Sequence, residues 1–186
     1  MKVKGTEIPG VLLIEPRIFG DHRGWFMESW QRDRYLEAGI PGQFAQDNQA
    51  YSRRGVLRGL HLQHPQGQGK LVQVLQGEVF DVAVDLRQGS PWFGRWVGVT
   101  LDGDSKRQFW VPAGFGHGYL VLSAEALFSY KCTEMYRPEY EFSVRWDDPD
   151  IGIDWPLDVV PALSDKDQAA LNLRQIPAAR LPVYGL

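Results

Sequence analysis

Residues 80 to 86 alternate strictly between two kinds of side chain. Large apolar residues occupy every second position and small or acidic residues lie between them, with Phe80, Val82, Val84 and Leu86 on one side and Asp81, Ala83 and Asp85 on the other. A period of two is the period of a β-strand, whose successive side chains point to opposite faces. Further short runs of strand-forming residues follow, separated by turns rich in Gly, Pro, Asp and Ser. Many short strands at fairly regular spacing predict an all-β fold, either a sandwich or a barrel.

The same reasoning places the other elements. Strands are predicted at 11–14, in the second half of 19–28, at 96–101, at 108–111 and at 144–146, with extended chain at 43–52. Residues 112–118 are predicted to be a loop, followed by a hairpin of 119–122 and 126–133. A short helix is predicted over 31–38, because Gly39 and Pro41 follow it as a stop signal. A second helix is expected from Ser164 to about Leu173.

Size and charge restrict the class of protein. At 186 residues the chain is long enough to bury a full core, and we expect one domain spanning 1–186. The net charge is −3 and there is no basic run, which argues against nucleic acid or a membrane surface as a partner. The N-terminus lacks the apolar run of a signal peptide, and no stretch approaches the roughly eighteen apolar residues of a membrane span. Cys132 is the single cysteine and cannot form an internal disulfide, so the expected location is the cytoplasm.

Residues 56–70 concentrate side chains that carry chemistry, with Arg58, His61, His64 and Lys70 inside one short stretch. A histidine titrates near neutrality, so His61 is a candidate general base; the alternative is a structural strand histidine. Lys70 follows a Gly-Gln-Gly turn, and its ammonium can neutralise an oxyanion or a phosphate; the alternative is a surface lysine. This composition favours a small-molecule site over a core strand.

Arg58 and Arg23 are candidates for phosphate binding through their planar guanidinium groups, with surface arginines as the alternative. In a regular strand, residues 58 and 61 face opposite sides. Arg58 and His61 can line one site only if Gly59 introduces a bulge, which glycine in a strand often marks.

A metal site is the competing interpretation of the histidines. His117 ends a Pro-x-Gly-x-x-His segment that resembles part of the second cupin motif, so His61, His64, Glu78 and His117 form a possible ligand set. The first cupin motif requires a His-x-His pair, whereas this chain has two residues between His61 and His64. The spacing therefore argues against a metal.

Tyr130 and Asp167 each have two interpretations. Tyr130 shares its strand face with Phe128 and Cys132, so it is expected to point inward, either as a core residue or with its hydroxyl in use. Asp167 stands three residues after Ser164, a spacing close to that of a helix capping box. This capping role does not exclude a second role in orienting a histidine.

Seven segments distributed over nearly the whole chain form one recognisable set. They are FGDHRGWFME at 19–28, FAQDN at 44–48, VLRGLHLQ at 56–63, GKLV at 69–72, GEVFDVAVDLR at 77–87, WVPAGFGHG at 110–118 and LSDKD at 163–167. In this order they resemble the dTDP-4-dehydrorhamnose 3,5-epimerase family. The resemblance implies a cupin-type jelly roll with short flanking helices, a homodimer, and neither a metal nor any other cofactor. It also implies epimerisation of dTDP-4-dehydro-6-deoxy-D-glucose at C3 and C5, giving dTDP-4-dehydro-L-rhamnose.

The resemblance further implies roles for single residues. His61 resembles the base, Asp167 the carboxylate that orients it, and Tyr130 the acid on the opposite face of the sugar. Lys70 and His117 match positions that stabilise the enolate oxygen. Contacts to the nucleotide diphosphate are matched by Arg23, Phe26, Glu28, Gln46, Asn48, Arg58 and Tyr136. Phe26 is expected to reach the site of the partner subunit across the dimer.

Other activities remain open at this point. Some related enzymes invert only C3 or only C5 with much the same catalytic residues, so the sequence does not fix the regiochemistry. Two more distant alternatives are a metal-dependent cupin enzyme and a non-catalytic module that binds sugar nucleotides. An acid and a base on opposite sides of one site would argue against pure binding.

Overall fold

The computed structural model describes residues 1–185. Within them the chain forms β1 (Lys2–Gly5), β2 (Leu12–Glu15), β3 (Ile18–Asp21), β4 (Gly24–Met27), α1 (Arg32–Glu37), β5 (Gln46–Arg53), β6 (Leu57–Gln63), β7 (Lys70–Gln76), β8 (Glu78–Asp85), β9 (Trp96–Asp102), β10 (Gln108–Val111), β11 (Phe115–Val121), β12 (Glu125–Cys132), β13 (Glu141–Ser143) and α2 (Asp165–Gln168). Single 3₁₀ turns lie at Pro138–Tyr140, Leu173–Gln175 and Ala178–Arg180. In this part of the chain every helix is too short or too polar to cross a membrane.

Most of the strands form two antiparallel sheets that face each other. The first sheet has the order β1-β2-β10-β7-β12-β5, and the second has the order β13-β6-β11-β8-β9. Several strands that follow one another in sequence, such as β7 and β8 or β11 and β12, lie in different sheets, as in a jelly roll. The prediction of an all-β chain is confirmed, and the fold is a cupin-type jelly roll. Strands β3 and β4 form a separate two-stranded hairpin.

The space between the sheets holds one hydrophobic core. Val72, Val74 and Phe128 of the first sheet meet Val79 and Val121 of the second, and each is at most 1% exposed. Burial of one such side chain contributes roughly 1.5–3 kcal/mol. This packed layer holds the two sheets together.

The C-terminal segment covers the outer face of the second sheet. Val82 and Val84 of β8 point outward and share a second core with Leu173. The alternation in residues 80–86 therefore separates two buried faces, not a buried face from an exposed one. Asp81, on the inward face, is 0% exposed.

The predicted loop at 112–118 is wrong in its second half. Strand β11 begins at Phe115, and the hairpin predicted after that loop does not form, because β11 and β12 belong to different sheets. The glycines that suggested a loop serve close packing between strands. A Cβ on Gly118 would come within 2.7 Å of the Arg58 carbonyl oxygen on β6.

Two boundaries near the C-terminus also differ from expectation. The last strand is β13, not 144–146, and helix α2 ends at Gln168, well short of Leu173. Both differences have the same cause, since Val144 pairs with Leu171 in an isolated parallel bridge. Leu173 then packs into the outer core. Tertiary packing thus ends the helix where local sequence would have continued it.

Candidate active site

A cavity of about 310 Å³ opens between the two sheets. Eight of the side chains singled out from the sequence line it, namely Gln46, Asn48, Arg58, His61, Lys70, His117, Tyr130 and Tyr136. They come from strands of both sheets and from the segment after β12. The fold therefore brings together residues that are far apart in the chain.

His61 and Asp167 form a hydrogen-bonded pair at one wall of this cavity. His61 projects from β6, and its Nε2 lies 2.6 Å from Oδ1 of Asp167. The hydroxyl of Ser164 accepts the backbone N–H of Asp167 at 3.2 Å and donates to Asp167 Oδ2 at 2.9 Å. The helix cap thus fixes the carboxylate that holds the imidazole, so both interpretations of Asp167 apply at once.

The protonation of this pair follows from burial and the hydrogen bond. Burial lowers the pKa of His61, and the Asp167 carboxylate opposes this with a smaller effect. Burial raises the pKa of Asp167, but its contact with His61, the hydrogen bond from Ser164 and the charge of Lys166 together outweigh this effect and hold that pKa below its usual value. At neutral pH Asp167 is ionised and His61 is neutral. With Nε2–H donated to Asp167, Nδ1 of His61 keeps a free lone pair.

A second histidine–carboxylate pair lies beside the first. His117 on β11 is the direct cross-strand neighbour of His61, and its Nε2 lies 2.9 Å and 3.1 Å from the two carboxylate oxygens of Asp81. Burial raises the pKa of Asp81, and His117 works against that rise. The sequence reasoning missed Asp81 as a site residue. The available signal was an acidic residue in the middle of a strongly apolar strand, since a buried carboxylate needs a partner.

Lys70 places a cation in the cavity without an anionic neighbour bonded to it. It starts β7 directly across from Cys132, and the ion pairs of residues 1–185 do not include it. Burial lowers the pKa of Lys70, and the more distant acidic groups Glu141 and Asp81 oppose this. Such an ammonium is suited to an oxyanion supplied by a ligand.

Tyr130 faces the cavity from the sheet opposite His61. It lies on β12 of the first sheet, whereas His61 lies on β6 of the second, and its ring packs 5.9 Å from Phe128. The prediction that Tyr130 points inward is confirmed. Burial raises the pKa of Tyr130 to about 12, so the phenol keeps its proton at neutral pH.

A bulge at Gly59 brings Arg58 and His61 to the same side of β6. Arg58 pairs with Tyr119 and His61 pairs with His117, so two residues of β6 lie opposite the single residue Gly118 of β11. Gly59 has a φ of +123°, and a Cβ there would lie 2.6 Å from Gly118 Cα. The condition that the sequence set for Arg58 and His61 to line one site is therefore met. The two facing glycines explain the bulge, because no side chain fits where the strands approach.

Three predicted nucleotide contacts lie outside this cavity. Arg23 pairs with Asp21 at 2.6 Å, Glu28 pairs with Arg34 at 2.6 Å, and Phe26 is 68% exposed on the β3–β4 hairpin. Within one chain these side chains do not meet His61. None of the three is among the residues that line the cavity in this chain.

Two residues that the sequence reasoning did not single out complete the rim. Glu141 Oε2 accepts a hydrogen bond from the Tyr136 hydroxyl at 3.0 Å and from Lys166 Nζ at 2.8 Å. Glu141 and Lys166 both line the cavity. Lys166 directly precedes Asp167, so this chain of contacts links the rim to the helix that holds the base.

The alternative metal set is not assembled. Among residues 1–185 no three His, Cys, Asp or Glu side chains are grouped closely enough to hold a metal ion. His61 and His117 each bind a carboxylate through Nε2, while His64 and Glu78 are not among the cavity residues.

The chain is similar over most of its length to enzymes of one family. Residues 5–175 match the model of the family described as dTDP-4-dehydrorhamnose 3,5-epimerase. An enzyme of that name from Pseudomonas aeruginosa is 56% identical over 169 residues, which is 90% of this chain and 93% of the relative.

Solved structures give the same result. The epimerase RmlC of Legionella pneumophila, solved in complex with dTDP-4-keto-L-rhamnose, has a TM-score of 0.97 and 57% identity, covering 100% of this chain and 99% of that one. The 3'-monoepimerase ChmJ of Streptomyces bikiniensis, in complex with dTDP-quinovose, has a TM-score of 0.89 and 41% identity, covering 96% and 92%.

Proposed function

Because this chain belongs to the dTDP-4-dehydrorhamnose 3,5-epimerase family, we propose that it inverts C3 and C5 of dTDP-4-dehydro-6-deoxy-D-glucose and forms dTDP-4-dehydro-L-rhamnose. The enzyme is an isomerase of nucleotide sugars. The observation that carries the proposal is the placement of His61, backed by Asp167, and Tyr130 on facing sheets of one cavity. Inversion at carbon needs a base on one face of the sugar and a proton donor on the other.

The chemistry of the substrate explains why one set of residues can serve two carbons. C3 and C5 both flank the C4 ketone, so loss of a proton from either carbon gives an enolate on the same oxygen. His61 removes the proton through Nδ1, and Asp167 stabilises the imidazolium that forms. Tyr130 returns a proton from the opposite face. Positioned acid–base groups contribute roughly 10²–10⁴-fold to the rate.

The enolate oxygen needs positive charge. Lys70 supplies an ammonium that has no ion-pair partner in the described residues. His117 can offer an Nδ1–H as a second donor, because burial raises the pKa of Asp81 and this carboxyl can hold the proton of its contact with His117 Nε2. One donor to an oxyanion is worth roughly 10²–10³-fold in rate. The same two groups serve both enolates, because the oxygen is shared.

The nucleotide diphosphate binds at the cavity rim in this proposal. Arg58 provides charge for the phosphates, Gln46 and Asn48 provide amide groups, and Tyr136 provides an aromatic face. The protein acts as a homodimer in which Arg23, Phe26 and Glu28 of one subunit complete the site of the other. The exposure of Phe26 on an isolated hairpin supports this arrangement.

The proposal also covers the domain organisation, the class of ligand and the cellular location. The chain acts as one domain over 1–186, binds a dTDP-sugar and not nucleic acid or a membrane, and works in the cytoplasm. The buried free thiol of Cys132 suits a reducing compartment.

A single experiment tests the activity and its regiochemistry. Purified protein is incubated with dTDP-4-dehydro-6-deoxyglucose in deuterated water, and the sugar is analysed by NMR. We expect deuterium at both C3 and C5 together with rhamnose-configured product. Deuterium at C3 alone would instead assign a monoepimerase, the activity named for the ChmJ relative. No exchange at either carbon would overturn the proposal.

A further inference from the structure

Tyr119 carries a hydroxyl that the proposed chemistry does not use. Its ring stacks on Phe128 with centroids 4.2 Å apart and planes 16° apart. The side chain is 5% exposed, and within residues 1–185 its Oη has no hydrogen-bond partner. A buried hydroxyl without a partner costs free energy that a phenylalanine would not. Its presence therefore calls for a use in another state of the protein.

The hydroxyl lies at the corner of the cavity where Arg58 rests. Arg58 is the cross-strand neighbour of Tyr119. Its Nε and Nη2 donate to the Ser52 Oγ at 3.2 and 3.1 Å, and the ion pairs of the described residues do not include it. Ser52 is itself 5% exposed. A strong cation is thus held only by a buried neutral hydroxyl.

Tyr119, Ser52 and Arg58 are close enough to influence one another. Burial raises the pKa of Tyr119, and the charge of Arg58 and the adjoining polar groups of Ser52 and Arg58 work against that rise. The Tyr119 Oη therefore adjoins both side chains, although it makes no well-formed hydrogen bond to either. If Arg58 turned towards an anion in the cavity, the Ser52 Oγ would lose two donors at once. A buried acceptor without donors would then oppose the movement.

We propose that Tyr119 is a positioning residue for Arg58, whose hydroxyl donates to the Ser52 Oγ when the guanidinium leaves it to bind a diphosphate. The inference rests on the proposed function, which supplies the diphosphate. In this role Tyr119 stabilises the Ser52 hydroxyl after Arg58 has moved, and it needs no contact with the substrate. The unpaired phenol of the ligand-free protein becomes paired in the complex, and this favours the ligand-bound position of Arg58.

The test measures binding of dTDP to the full-length protein by calorimetry. Tyr119→Phe removes only the hydroxyl, and we expect the Kd for dTDP to rise by roughly three- to tenfold, the value of one ordinary hydrogen bond. KM should rise by a similar factor while kcat stays within about twofold. In a Ser52→Ala background, Tyr119→Phe should change Kd by less than about twofold, because the acceptor is gone. An equal rise in both backgrounds would mean that Tyr119 acts without Ser52, and would overturn the inference.

Thermal unfolding provides the readout that separates this role from a core role. Without ligand, Tyr119→Phe should have an unchanged or higher Tm, since the lost hydroxyl bonds nothing there. A higher Tm with an unchanged Kd would make Tyr119 a core residue and refute the inference. Tyr184→Phe, which removes a phenol outside the cavity, is the control and should leave Kd unchanged. A parent protein that does not bind dTDP would overturn the proposed function as well, whereas a parent that binds and a variant of equal Kd would overturn only the inference.

Discussion

His61 Nε2 and Asp167 Oδ1 lie 2.6 Å apart although 106 positions separate the two residues in the chain. Strand β6 supplies the imidazole. The carboxylate comes from α2, a helix of about one turn that follows all the strands. The contact exists only because the C-terminal segment packs on the second sheet. The orientation and protonation of the proposed base therefore depend on a segment outside the two sheets.

Substitutions in this pair should separate the base from its orienting group. His61→Ala should lower hydrogen exchange at both C3 and C5 by at least about 10²-fold, because one base serves both carbons. Asp167→Asn should lower the rate by roughly 10–100-fold without abolishing it. Exchange into deuterated water, followed by NMR, measures both effects.

Ser164→Ala is the matched control for Asp167. It removes the capping hydroxyl and its hydrogen bond to Asp167 Oδ2 and should cost about 1 kcal/mol of stability. The Asp167 carboxylate is still present to bind His61, so the exchange rate should fall less than in Asp167→Asn. If Asp167→Asn lowered the Tm as Ser164→Ala does but left the exchange rate unchanged, Asp167 would be a helix cap alone.

The pH profile of kcat/KM should reflect two shifted groups. Burial lowers the pKa of His61, so the neutral base persists at neutral pH and activity falls only as the pH drops below about 6.5, the usual value for histidine. The Asp167 carboxylate raises the pKa of His61, so Asp167→Asn should move this acid limb to still lower pH. An acid limb that moves upward in Asp167→Asn would contradict the assignment.

The basic limb should belong to Lys70. Burial lowers the pKa of Lys70, whereas the pKa of Tyr130 is raised to about 12. Loss of the ammonium should therefore end activity before the phenol ionises. Lys70→Arg keeps the charge at every accessible pH and should shift the basic limb upward or remove it.

Tyr130→Phe should uncouple proton removal from inversion. His61 and Lys70 remain, so the enolate still forms, but the proton can return only from the original face. We expect substrate recovered with deuterium and unchanged configuration, and rhamnose-configured product at a rate lower by roughly 10²–10⁴-fold. A variant that inverts C3 and C5 at the parent rate would place Tyr130 in the core and not in the chemistry.

Chelation should leave activity unchanged. His61 and His117 each direct Nε2 to a carboxylate, so neither is arranged as a ligand beside His64 or Glu78. Elemental analysis should find no stoichiometric metal in the purified, active protein. A tightly bound transition metal whose removal abolishes turnover would contradict the mechanism.

Mixed dimers should test whether the hairpin serves the partner. A chain with Phe26→Ala retains His61 but cannot complete its neighbour's site, and a chain with His61→Ala retains Phe26. If Phe26 crosses the dimer, mixing and reassociating two weakly active variants should restore activity, because each mixed dimer has one complete site. No recovery after verified subunit exchange, or an active monomer in sedimentation, would count against the arrangement.

The sequence predicted correctly those features of single strands that depend only on neighbouring residues in the chain. The shared face of Phe128, Tyr130 and Cys132 followed from strand parity, and the bulge at Gly59 followed from the opposed parity of Arg58 and His61. Both features need only the two-residue period of a strand and the absence of a side chain on glycine.

Features that depend on the pairing of strands could not be predicted from the sequence in this way. The contact of Asp81 with His117 depends on the register of β8 against β11. The hairpin wrongly predicted for 119–122 and 126–133 could be avoided only by knowing which sheet each strand joins. Register and sheet order arise from packing between distant segments. The short helix α2 is a similar case, since the bridge of Leu171 to Val144 and the burial of Leu173 end it.

The position of Asp167 behind every strand gives the protein an order of maturation. β13 ends at Ser143, so both sheets leave the ribosome before the carboxylate does. The cavity residues on both sheets are thus synthesised before the carboxylate that pairs with the imidazole of His61. The proposed base is therefore complete only when the segment after the last strand has docked, and any change that loosens this docking leaves the imidazole of His61 unpaired.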